Sequence, residues 1–218
     1  MVQLTLAAAL LALLPSPAPT ERPPLKTIIT VVSSPYCNSL VTHFNGALVP
    51  MLGNDRAIEV ISVQLDNLNQ LFSDPNYQQE FVDVRTKLLH QESKVNESLA
   101  AIEQEIDLLR DGAKLTTDPQ AQADIKDAAT QLHTAWARQR ELAIDLHHMY
   151  QEMTQYPIEQ ASNDPGGFAP EDMREPAEMK DIKSYLRFNT QIKIIANSED
   201  KAVEIAYNTA QTYCIPKK

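Results

Sequence analysis

Ile125–Met153 reads IKDAATQLHTAWARQRELAIDLHHMYQEM, and apolar or small residues recur in it at Ile125, Ala128, Leu132, Ala135, Leu142, Leu146, Met149 and Met153. Steps of three and four residues are those of a helix with one buried face, and a run this long is the seam of a bundle helix. One polar residue, Gln139, takes an apolar place in the series.

The same period recurs on both sides. Phe81, Leu88, Val95, Leu99, Ile102, Ile106 and Leu109 mark a helix from about Asn76 to Arg110, with Gly112 as its stop. Ile58, Ile61, Leu65, Leu68 and Phe72, preceded by Leu40, Val41, Phe44 and Leu48, mark another from about Tyr36 to Phe72. Within it Pro50 and Gly53 predict a kink or a restart, and Asn54 and Asp55 stand ready as caps. Met179, Ile182, Leu186, Ile192, Ile195, Val203, Ala206 and Ala210 mark a last helix from about Ala177 to Tyr213, where Asn197-Ser198-Glu199-Asp200 is a second internal capping signal. Ser73-Asp74-Pro75 and Thr117-Asp118-Pro119 punctuate the series, and the third helix reaches about Tyr156.

Each segment is about 35–39 residues, or ~55 Å at 1.5 Å per residue. Matched lengths and short connections predict an all-α, up-down-up-down four-helix bundle rather than a coiled-coil rod paired between chains. In that topology Cys37, which opens the first helix, and Cys214, which closes the last, lie at one pole. A disulfide between them is expected to staple the two chain-terminal helices.

Five glycines and 6% aromatic residues argue against a turn-rich β protein. A formal charge of −10 excludes a basic nucleic-acid footprint, the nearest approach being Arg138 and Arg140 followed at once by Glu141. The same charge disfavours an anionic membrane surface. Leu4–Leu14 (LTLAAALLALL) has the length of a signal-peptide apolar region and is too short to span a bilayer. Ser16 and Ala18 supply a small-residue cleavage pattern, although no Lys or Arg precedes the run. The expected organisation is a signal peptide at 1–18, a Pro-rich extended segment at 19–35 and the bundle at 36–218. Leu25–Val32 reads as an extended strip along the bundle, and the whole protein as exported to the periplasm or the extracellular space, where a disulfide persists.

Folding the second helix onto the third about residues 112–118 predicts Glu92 opposite Gln139, within hydrogen-bonding distance, with Arg56 and Lys193 near the same level as counter-charges. A polar layer of this kind ordinarily fixes helix register. Its functional counterpart is a ligand cavity in which Arg56 or Lys193 receives an anionic group and Glu92 and Gln139 bind polar ones. The Pro50–Gly53 and Asn197–Asp200 breaks also fall at one level of two adjacent helices, as a matched kink or as a pocket. Glu141, Asp145, His148 and Glu152 share one helix face, but the second Glu-x-x-His of a carboxylate-bridged di-metal bundle is missing. No metal and no cofactor is therefore expected, and no nucleophile elbow or phosphate-binding loop points to catalysis. Residues 157–176 read as an acidic connector or as a lid over one bundle end.

The leading expectation is an exported, non-enzymatic bundle acting through protein contacts, including self-association, with an exposed apolar stripe on one helix and Trp136, Tyr150 and Tyr156 as surface aromatics. The alternative is a small-ligand or metal carrier or sensor using the polar layer. A filled core favours the first, and a void at mid-height the second.

Overall fold

The computed structural model describes residues 34–71, 77–155 and 182–215. They form four long helices, α1 (Pro35–Leu71), α2 (Tyr77–Gly112), α3 (Pro119–Thr154) and α4 (Lys183–Tyr213), and no strand. The leader, the extended strip, the 73–75 turn, the 157–176 segment, Phe72, Tyr156 and Met179 lie outside the described residues.

The helix starts follow from their caps. Ser34 precedes Pro35, and its hydroxyl accepts from the Cys37 amide at 3.1 Å. Asp118 caps α3 as expected, one carboxylate oxygen accepting from the Gln120 and Ala121 amides at 2.8 and 3.0 Å, with Pro119 at the first helical position. Gly112 does not stop α2 by a left-handed turn. Its φ of −56° is helical, and a 3₁₀ turn, Ala113–Leu115, carries the chain on. Its missing side chain makes room instead, since a β-carbon there would lie 2.3 Å from the Ser39 hydroxyl. The expected restarts are also absent: α1 runs through Pro50 and α4 through Asn197–Asp200 as single helices.

Neighbours in sequence are antiparallel neighbours in space. His43 meets Glu105 and Asn54 meets Ser98 between α1 and α2; Leu99 meets Trp136 between α2 and α3; Asp145 meets Arg187 between α3 and α4. Cys37 and Cys214 close the ring as a disulfide, with Cα atoms 5.7 Å apart. Tyr36 packs edge-on to Tyr213 beside it and donates to the Ala121 carbonyl at 2.9 Å. The fold is thus the up-down-up-down bundle, closed at one pole. Its least tightly packed adjacent pair is α1 and α4.

All the predicted seam residues of α2 and α3 are buried. In α4 the expectation fails at Leu186, which is 61% exposed, whereas Tyr185 and Phe188 point inward. Ile182, Tyr185, Phe188, Ile195, Glu199, Ala202, Ala206 and Ala210 keep the helical period, and Leu186 lies off it. Trp136 is likewise buried rather than a surface aromatic. Its indole donates to the Leu99 carbonyl at 2.9 Å, and Arg140 lies over its ring. Tyr150 is half-buried against the core.

Candidate functional site

At mid-height the core turns polar. Asn54, on the inward face of α1 between Met51 and Ile58, donates to Gln139 at 3.0 Å and exchanges hydrogen bonds with Ser98 of α2. Gln139 is fully buried, and its amide nitrogen donates to the Met51 carbonyl at 3.1 Å and to Asp55 at 2.8 Å. The Gln139 side chain thus uses both donors and an acceptor, all on α1.

Glu92 is not its partner. It pairs instead with the Nδ1 of His147 at 3.0 Å, about two turns further along α3. The register differs from the predicted one because the chain continues past Gly112 into the 3₁₀ turn, which moves the pivot between α2 and α3 towards Pro119. Arg56 and Lys193 also leave the layer: both are exposed. Of the four predicted binding residues, only Gln139 belongs to the site.

Two residues take their place. Asp55 carries its carboxyl from α1 against that of Glu199 from α4, and the two are hydrogen-bonded. Both carboxyls are held above their ordinary range. Burial is the chief cause for each; for Glu199, the hydrogen bond and the charge of Asp55 add to it, and the charge of Asp200 adds less. For Asp55, the hydrogen bonds from Glu199 and Gln139 offset part of the effect. Two carboxyls in contact share a proton, because ionising both would set like charges side by side away from water. Glu199 is 5% exposed, and its Oε1 has no hydrogen-bond partner among the described residues.

Beside the pair, a cleft of about 250 Å³ opens between α1 and α4. Ile58, Ile192, Ile195 and Ala196 wall it, with Asp55, Glu59 and Ser62 supplying polar groups from α1. Neither the Pro50–Gly53 nor the Asn197–Asp200 signal breaks its helix, and it is Asp55 and Glu199 that meet between α1 and α4.

A sequence signal for Glu199 and for Asn54 existed. Glu199 follows Ile195 by four residues and precedes Ala202 by three, a seam position like that of Gln139. Asn54 holds the equivalent place between Met51 and Ile58. Capping propensity drew both residues into the wrong role.

The acidic and histidine face of α3 serves to hold α4. Arg187 donates to Asp145 at 2.9 Å and lies 3.4 Å from His148, while Glu152 accepts from Ser184 at 2.7 Å. Glu141 is engaged by Arg138 and Gln191.

Replacing Gln139 with Leu is expected to lower stability by about 2–3 kcal/mol, since Asn54 and Asp55 each lose a partner in a buried setting. Glu92→Gln, at a partly exposed pair, should cost under about 1 kcal/mol. Urea unfolding of the two variants checks the order, and equal losses would contradict this assignment of the layer.

No protein-family model, curated protein or solved structure matches the chain.

Proposed function

We propose that this protein is an exported, non-enzymatic bundle that binds a small ligand in the cleft between α1 and α4. The observation that carries this reading is a largely apolar cleft with the Asp55 carboxyl in its wall, backed by the buried Glu199, whose Oε1 has no partner among the described residues. A polar layer that served register alone would satisfy its own members, as Gln139 and Asn54 do. A partly buried carboxyl, that of Asp55, set in the wall of a largely apolar cleft is what a small-ligand site requires. Export is supported by the leader pattern and by the disulfide, a bond that persists in oxidising compartments. Among the described residues no helix is long and apolar enough to cross a membrane.

Native mass spectrometry of the protein taken from its host's exported fraction tests the reading. The expected result is an added small mass that vanishes on denaturation. The denatured sample also reports the leader, by its mass, and the disulfide, by two missing hydrogens.

A second reading, action through protein contacts, is favoured by one observation. Val49, Leu52, Val60 and Val63 are exposed on the outer face of α1, at helical spacing with Arg56 between them. A homo-oligomer without added small mass would shift the conclusion to that surface.

A further inference from the structure

We infer that the outer face of α1 is a self-complementary interface through which two copies of this chain form a dimer, their α1 helices antiparallel about a two-fold axis at Arg56. A surface helix ordinarily sets charged side chains opposite its buried face. α1 does not. Over 37 residues its only acidic or strongly basic side chains are Asp55, Arg56, Glu59 and Asp66, whereas α2 carries one at about every third position. Opposite the buried Met51, Ile58, Ile61 and Leu65 stand Val49, Leu52, Val60 and Val63, which are 63%, 41%, 57% and 54% exposed. The other exposed large apolar side chains of the described residues stand apart, one or two to a helix.

The spacing of the stripe points to a second copy rather than to an unrelated partner. Leu52 and Val60 lie four residues on either side of Arg56, and Val49 and Val63 lie seven. A two-fold interface brings the same patch of both subunits together, so the patch must fit itself. Turned antiparallel about Arg56, this one does: Val49 meets Val63 of the second copy, and Leu52 meets its Val60. Charge agrees. Arg56 and Glu59 are exposed, and neither has an ion-pair partner among the described residues. Across the axis each Arg56 reaches Glu59 of the second copy, about one turn from the position facing it. The seam is then neutral, where most of a chain of formal charge −10 would repel its copy. Gly53 falls opposite that Glu59. A β-carbon at Gly53 would meet nothing within 4 Å, so no contact inside one copy accounts for a residue that weakens a helix. In the dimer its bare backbone gives the glutamate stem room.

None of the four apolar residues lines the α1–α4 cleft, so the dimer stands apart from the ligand reading. From Val49 to Val63 the seam runs ~21 Å. That is short for a stable interface, and a weak dimer with a Kd in the micromolar range is expected.

Sedimentation equilibrium of the full protein, from roughly 1 to 300 μM so as to bracket that constant, tests the inference. The expected result is a reversible monomer–dimer equilibrium. Val60→Glu, at an exposed position, should leave the fold intact and weaken the dimer about tenfold or more by setting a charge against Leu52 of the second copy. Arg56→Glu alone should weaken it about tenfold, since glutamates then face each other. Combining Arg56→Glu with Glu59→Arg should restore it to within about threefold, which a non-specific apolar contact would not show. A monomer at every concentration would overturn the inference and leave the face to the N-terminal residues of the chain or to a different protein. A dimer indifferent to Val60→Glu, or one that the reversed charge pair fails to restore, would overturn the antiparallel pairing about Arg56. Each of these results leaves the cleft as a ligand site.

Discussion

Replacing Cys37 and Cys214 together with serine lowers the melting temperature by roughly 10–20 °C. The bridge spans 177 residues of sequence, and closing so long a loop in the unfolded chain is worth about 5 kcal/mol by loop-closure entropy. For a chain of this size each kcal/mol corresponds to about 2–4 °C. The loss should fall unevenly. α1 and α4 are the least tightly packed adjacent helices, and the bridge ties the start of one to the end of the other. Hydrogen exchange at residues near Cys37 and Cys214 should therefore rise before exchange in α2 and α3 does. Thermal unfolding followed by circular dichroism, with and without reductant, measures the effect. A drop smaller than about 4 °C would mean that the closed pole contributes little.

The carboxyl pair makes stability depend on pH in a direction opposite to that of an ordinary ion-paired carboxylate. Glu199 is held above its unfolded value of about 4.3. Between that value and its raised folded one, the native state binds the extra proton. Stability contributed by the pair is therefore fully present below about pH 4 and is lost as pH rises through the raised value. The slope for one proton is at most about 1.4 kcal/mol per pH unit. In practice this means a fall of about 3–5 °C in melting temperature per unit through the neutral range. Glu199→Gln keeps the shape and a hydrogen-bond donor for Asp55 and cannot ionise. It should flatten the dependence and melt above the natural protein at pH 8. Comparing the two proteins from pH 5 to pH 9 removes the general self-repulsion of an acidic chain, which both share. Parallel curves would show that Glu199 ionises as freely folded as unfolded.

The helical seams were legible because burial in a bundle repeats every three or four residues, and α2 and α3 obey that period throughout the positions predicted. The disulfide was legible because topology alone brings Cys37 and Cys214 to one pole. Register was less so. The pairing of Glu92 with Gln139 assumed that the turn begins at Gly112, and a three-residue 3₁₀ continuation was enough to carry Glu92 to His147. In the site, chemistry hid position. Asn54, Asp55 and Glu199 are residue types that cap helices, and beside Pro50 or after Asn197 they look like caps. Nothing in local sequence distinguishes a cap from a polar residue on a buried seam; only the spacing from Met51 to Ile58 and from Ile195 to Ala202 does so. Leu186 shows the converse, an apolar residue off the seam and exposed.

The account turns on Asp55 and Glu199 sharing a proton beside the cleft, and carbon-13 NMR of the side-chain carboxyls, titrated from pH 3 to pH 10, observes this directly. The predicted result is two coupled titrations, both displaced upward, with the later one assigned to the pair by its collapse to a single transition in Glu199→Gln. Two independent carboxyls titrating near the ordinary carboxylate value of about 4 would contradict the shared proton and, with it, the site built around it.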